Sequence, residues 1–166
     1  SHVGVEAYHT WIGTRDRPYS YYEVPTPVVD NHMITAAIID GTTIFLDATD
    51  SYVPFGMPSS FIQGKEALLG ISKDEYRIIK VPVQEKEINH TVIKTFVSIK
   101  RDTVRATSTR IMKGYDMVDF IFDAKFKKDE KTDAEYLNSK YEIGNNKTTF
   151  SNIDLGDLNS LNDSYS

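Results

Sequence analysis

Apolar, β-branched and aromatic residues in the first half of the chain gather into short runs separated by turn-rich and proline-rich stretches. Val5 to Thr14 mixes β-branched and aromatic residues, among them Tyr8, Trp11 and Ile12, and predicts a strand. Met33 to Ile39 and Thr42 to Asp47 predict two more, joined by Asp40-Gly41. An Asp-Gly pair between two β-type runs signals a tight hairpin, because both central residues of the favoured turn take positive φ. One hairpin face carries Ile34, Ala36, Ile38 and Phe45, and the other Met33, Ala37, Ile39, Ile44 and Leu46. A hairpin apolar on both sides is expected inside a layered domain.

Between these strands, Arg15 to Asp30 carries Pro18, Pro25 and Pro27 among Tyr19, Tyr21 and Tyr22. Proline lacks a backbone donor, so the segment reads as a long, partly extended loop. Ala48 to Pro58 is rich in turn residues, and Lys65 to Ile71 is a short ordered piece of undetermined type. The character changes around Val81-Pro82, which divides the chain into 1–82 and 83–166. Beyond that point, Ile88 to Ile99 and Thr103 to Met112 predict a second hairpin around Arg101-Asp102. Tyr115, Val118, Ile121 and Phe122 are spaced like a helix face, as are Ala134, Leu137 and Tyr141. Lys147 to Ile153 predicts a closing strand. The expected class is α+β and β-rich: an antiparallel sheet followed by a smaller α+β accessory domain.

Composition narrows the chemistry. Over 166 residues the formal net charge is −5, which argues against a binder of nucleic-acid phosphates, since these carry basic surfaces. No apolar run approaches the roughly 18 residues of a membrane helix. The chain has no cysteine. Disulfides, a thiolate metal site and a cysteine nucleophile are therefore excluded within these residues. Ser1 at the first position and the polar run from Asp154 to Ser166 suggest a piece of a longer protein with a truncated second domain.

The hairpin register selects one pair of residues. If Asp40-Gly41 is a two-residue loop, Ile39 pairs with Thr42, Ile34 opposes Asp47 and His32 opposes Thr49. Opposed residues share a face, as do residues two apart on one strand. His32 and Asp47 then become diagonal neighbours on one face, about 7–8 Å apart at the backbone. Asp50 opposes Asn31 and points to the other face. A slip of one residue would reverse the choice. An aspartate that accepts from one imidazole nitrogen fixes the tautomer and turns the other nitrogen toward a substrate or nucleophile. The same pair also serves in many proteins as a half-buried structural contact. Ser51, Ser59 and Ser60 are near in sequence, but none stands in a G-x-S-x-G context.

Gly4-Val5-Glu6-Ala7-Tyr8, Ile12-Gly13-Thr14-Arg15, Asn31-His32-Met33-Ile34 and the block from Phe45 to Gly56 resemble the bacterial transglutaminase-like superfamily. The nearest branch resembles multidomain proteins of Bacteroidetes, with a transglutaminase-like core beside β-rich domains. The likeness covers about residues 3 to 80. Its most specific part is Leu46 to Gly56, and residues 84 to 166 resemble the C-terminal accessory domain. The resemblance implies the C-terminal half of a papain-like core and a Cys-His-Asp triad, with the histidine at His32 and the aspartate at Asp47. It places the cysteine on a helix upstream of the Gly4-Val5 strand, outside this chain. The implied activity of the parent is thiol acyl transfer or amide hydrolysis on protein or peptide substrates, in an extracytoplasmic compartment. The alternative is a non-catalytic scaffold or a protein- or glycan-binding module.

Other features add little. His2, His9, His32 and His90 lack metal-ligand spacing, and no cofactor is implied. Asp154, Asp157 and Asn159 lack the glycine and terminal glutamate of a calcium-binding loop. Asn89, Asn146 and Asn162 head glycosylation sequons, which occur often by chance. Trp11, Tyr21 and Tyr22 are candidate substrate-binding residues near His32. The same aromatics, with Tyr19, serve equally well as cover for the core edge.

Overall fold

A computed structural model describes residues 4–128, 132–141 and 148–159, and shows a β-rich α+β chain. The chain divides into two compact units, Ser1–Glu85 and Lys86–Ser166, against the 82/83 division read from the sequence.

The first unit is a five-stranded antiparallel sheet. Its strands are β1 (Glu6–Ile12), β2 (His32–Ile39), β3 (Thr42–Leu46), β4 (Glu66–Gly70) and β5 (Tyr76–Lys80), in the order β3-β2-β1-β4-β5. The β2–β3 register runs from Ile39↔Thr42 to Thr35↔Leu46, in the frame that the Asp40-Gly41 loop dictates. Asp40 and Gly41 both have positive φ, 51° and 77°. The segment read as ordered but undetermined is β4. The hairpin partner β5 was not anticipated, because its five residues Tyr-Arg-Ile-Ile-Lys place two apolar side chains side by side without alternation.

Strand alternation puts Ile12, Ile34, Ala36, Phe45, Ala67 and Leu69 on one face, where Ile62 and Val81 join them in the core. This face is the better closed one, although Ala37 and Leu68 are buried on the opposite face. On the other, Met33 is 58% exposed, and Leu46 is also exposed, so the expectation of a hairpin buried on both sides is corrected. The reason lies in the chain connections. The segment between β3 and β4 folds Phe61 and Ile62 onto the His32 face, and one such layer covers one side of a sheet.

The proline-rich segment is a loop, as expected, with one 3-10 turn at Pro27–Val29 capped by Thr26. Its aromatics are tied down locally. Tyr21 is 1% exposed. Its hydroxyl donates to Asp30 Oδ2 and to the Trp11 carbonyl, and its backbone N–H donates to Glu66 Oε2 at 2.8 Å. Tyr19 donates to the carbonyls of Val24 and Thr26 and packs edge-on to Tyr21.

The second unit begins with a hairpin, β6 (Thr91–Lys100) and β7 (Thr103–Met112), turning at Arg101-Asp102. Helices α1 (Tyr115–Lys128) and α2 (Asp133–Tyr141) follow. The expected α1 face is partly corrected. Val118 and Ile121 are buried, but Met117, Phe120 and Ala124 complete the stripe while Phe122 is exposed and stacks on Phe126. On α2 the buried residue is Tyr136. Thr132 and Glu135 form a reciprocal capping box at its start, each satisfying the other's backbone N–H. Thr148 to Ile153 is not a strand; Lys147 lies outside the described residues. Gly156 and Asn159 donate their backbone N–H groups to Asp154 and Asp157, so these carboxylates form local Asx turns. Among the described residues, no helix is long and apolar enough to cross a membrane.

Gly114 joins β7 to α1 at φ +66°, and a Cβ there would collide with Asn89 Oδ1 and lie 2.7 Å from the Ile88 carbonyl oxygen. Asn89 Oδ1 accepts the Tyr115 N–H, so this close approach caps the helix. Gly41→Ala, strained only by its φ, is expected to cost about 1–2 kcal/mol. Gly114→Ala adds a steric clash to the same strain and is expected to cost more. Urea denaturation of the two variants checks the order, and equal losses would show that the Asn89 contact does not constrain position 114.

Candidate functional site

The site is built at the end of the β2–β3 hairpin. His32 opens β2 and pairs across the sheet with Ile12 of β1. That register puts its ring on the core face. Asp47 follows β3 directly, one residue past the last ladder pair at Leu46. The expected ladder pairs Ile34–Asp47 and His32–Thr49 do not form. Instead the chain turns after Asp47, and Thr49 folds back to donate its backbone N–H (3.1 Å) and its hydroxyl (2.7 Å) to Asp47 Oδ1. Asp50 is engaged in the next turn, where it accepts the Tyr52 N–H.

His32 Nε2 lies 2.8 Å from Asp47 Oδ2. Ser59 Oγ donates to the same oxygen at 2.9 Å. The carboxylate side chain is 4% exposed and the imidazole side chain 14%. Burial pushes the Asp47 carboxyl up, but the hydrogen bonds from Thr49, His32 and Ser59 outweigh it and hold the group below the usual carboxylate range. Asp47 is therefore ionised at neutral pH and can only accept. The proton between the two side chains must then sit on Nε2, so that Nδ1 is the nitrogen that can carry a lone pair. Nδ1 makes no hydrogen bond among the described residues, and it is not one of the buried unpaired atoms. Phe61 packs edge-to-face on the imidazole, with centroids 5.4 Å apart and planes at 69°, and restricts rotation of the ring.

The histidine thus has one nitrogen held by a buried anion and the other open to an incoming group. This is the arrangement of a general base whose conjugate acid is stabilised from behind. The assignment of the two nitrogens is the reverse of the serine-protease arrangement, where the aspartate holds Nδ1. Ser59 is 1% exposed and bonds to the aspartate rather than to Nδ1. It therefore does not occupy a nucleophile's place. Among the described residues, no three histidine, aspartate or glutamate side chains cluster as metal ligands.

The other candidates do not join this pair. Trp11 pairs with Met33 and so faces the opposite side of the sheet from His32. It packs over Gly70, where a Cβ would come within 3.0 Å of the indole. Tyr21 is buried in its own hydrogen-bond network, and Tyr22 is 77% exposed. The sequence reading named Ser59 and Thr49 but missed their role as donors to Asp47, and it missed Phe61 altogether. Thr49 was detectable in principle, because Asp-x-Thr is a local turn signal in which the side chain bonds two residues on. Ser59 and Phe61 arrive through a loop whose path no periodicity encodes.

A second carboxylate behaves oppositely. Asp30 accepts from Tyr21, but its Oδ1 is buried without a partner, and burial raises its pKa. Comparison of the chain with family models, with curated proteins and with solved structures found no match.

These shifts set the acid limb of stability. Asp47, depressed in the folded state, contributes stability that is present above about pH 4 and lost as pH falls through its folded value. Asp30, raised in the folded state, favours the fold at low pH, and that contribution is lost as pH rises from about 4 through its folded value. Asp47→Asn is expected to flatten the acid-induced loss, measured as urea stability between about pH 2 and pH 5. An unchanged acid limb would mean that Asp47 is not held as an anion. Asp47→Ala, which leaves His32, Thr49 and Ser59 donors unpaired, is expected to cost about 2–3 kcal/mol at neutral pH.

Proposed function

We propose that the first unit is the His-Asp half of a thiol acyl-transfer site of the transglutaminase-like, papain-like kind. One observation carries the reading: a buried, four-times hydrogen-bonded Asp47 holding His32 Nε2 at 2.8 Å while Nδ1 stays open. The antiparallel sheet and the quoted motifs from Gly4 to Gly56 support it. The nucleophile has to come from outside these residues, since the sequence has no cysteine.

The chemistry follows from the pair. A thiol brought to Nδ1 passes its proton there and becomes a thiolate, the reactive form. The resulting imidazolium donates from both nitrogens, and the Asp47 charge stabilises it. The thiolate attacks the carbonyl carbon of a carboxamide or peptide bond. Nδ1–H then protonates the departing nitrogen, the C–N bond breaks, and a thioester remains. Water or an amine attacks the thioester, giving its proton to Nδ1 as the C–S bond breaks and the thiolate is released, which restores the thiolate–imidazolium pair. Water completes an amidase or peptidase reaction, and an amine completes a transglutaminase reaction. The substrate class is protein or peptide, and the compartment proposed with it is extracytoplasmic. The second reading, a transglutaminase-like scaffold or binding module, is favoured by the missing cysteine, with His32–Asp47 kept as a structural pair.

The longer parent protein distinguishes them. It is expected to carry one thiol that is alkylated by iodoacetamide at neutral pH much faster than an ordinary cysteine. His32→Ala should slow that labelling by at least about tenfold, because the thiolate loses its imidazolium partner. Unchanged labelling would remove His32 from the reaction and leave the scaffold reading.

A further inference from the structure

We propose that Ser59 is a positioning residue of this site, one whose hydroxyl fixes the imidazole tautomer by fixing the aspartate. The inference rests on the reading of His32 and Asp47 as base and orienter. It adds a residue to that pair from a different segment of the chain.

The geometry assigns the role by what each Asp47 oxygen does. Oδ1 is held from within the same turn, by the backbone and side chain of Thr49. These local bonds anchor one corner of the carboxylate and leave it free to swing about that corner. Oδ2 is the oxygen that serves His32, and its only other donor among the described residues is Ser59 Oγ at 2.9 Å. Ser59 approaches from the segment before β4, 12 residues along the chain, and is 1% exposed. No water competes readily for a hydroxyl at that depth, so its proton is committed to Oδ2. Two donors on one oxygen define its position better than one. They also leave Oδ2 no spare capacity for a competing donor. The same segment carries Phe61, whose edge-on packing restricts the ring from the other side. Ser59 is followed within two residues by this contact, and the Ile62 N–H donates to the Ser59 carbonyl at 3.2 Å. A single short turn thus sets both the carboxylate and the ring plane.

The consequence is specific. With Oδ2 fixed and anionic, the Nε2–H tautomer of His32 is favoured and the lone pair stays on Nδ1, where a thiol must be met. Without the Ser59 hydroxyl, the carboxylate gains rotational freedom and the ring gains access to the wrong tautomer.

The experiment is ¹⁵N NMR of histidine-labelled protein, since the two ring nitrogens report the tautomer directly and without any activity. The wild-type chain is expected to show His32 as the Nε2–H form. Ser59→Ala is expected to raise the Nδ1–H population roughly two- to tenfold, the factor that one hydrogen bond is worth. Ser59→Thr, which restores the hydroxyl, should return the wild-type pattern. An Ala variant with the wild-type pattern would overturn the proposal, as would a Thr variant that shifts as far as Ala. A wild-type ring already in the Nδ1–H form would instead overturn the pairing with Asp47, so the two failures are distinguishable. The wild-type protein provides a check that needs no variant. The Ser59 hydroxyl proton, buried and donated to Asp47, should exchange slowly enough with water to be seen as a resolved signal near His32. Its complete exchange within the dead time of the measurement would count against the proposal even if Ser59→Ala did not fold.

Discussion

A buried carboxylate must be fully hydrogen-bonded or it does not stay charged, and Asp47 meets that demand from three directions. Its four donors come from the start of β2, from its own turn and from the segment that precedes β4. Each direction corresponds to a separate commitment of the backbone. The hairpin register brings His32 to the right face. The end of the ladder at Leu46 lets the chain turn, so that Thr49 folds back. The long connection between β3 and β4 returns across the core face and delivers Ser59 and Phe61. Remove any one of these and the carboxylate loses one or two of its four donors.

The same connection explains why the sheet is covered more fully on one side. It covers the His32 face, where Ile62 joins the core cluster, and leaves Met33 and Leu46 open on the other. Packing and site construction are therefore one event: the residues that bury the sheet are those that enclose the carboxylate. The proline-rich loop between β1 and β2 plays a different part. Its tyrosines donate to carbonyls and to one oxygen of the Asp30 carboxylate beside the strand ends, which fixes the loop without directing an aromatic side chain at the imidazole.

Much of this was legible in local pattern. The Asp40-Gly41 turn, the strands on either side of it and the choice of Asp47 over Asp50 all follow from a two-residue period and a two-residue loop. Strand β5 was not legible, because Tyr76–Lys80 carries adjacent isoleucines between polar residues and imitates no period. On α1 the spacing placed Val118 and Ile121 correctly and Phe122 incorrectly, since a helix stripe wide enough for Met117, Phe120 and Ala124 turns position 122 outward. Trp11 shows what strand alternation decides. As an aromatic on the neighbouring strand it looked close to His32, but strand alternation sends it to the opposite face, one residue away from the Ile12 position that pairs with His32.

By itself the sequence determined the hairpin, its register and hence the pair His32–Asp47, because these depend on residues a few positions apart whose geometry a tight turn fixes. It also determined that these residues contain no thiol. Tertiary structure alone decided how the pair is enclosed. Ser59 and Phe61 reach it through a loop closure, and a closure depends on how distant segments bury one another rather than on any repeating pattern along the chain. The enclosed, ionised Asp47 and the greater exposure of Met33 and Leu46 on the second sheet face are consequences of that closure.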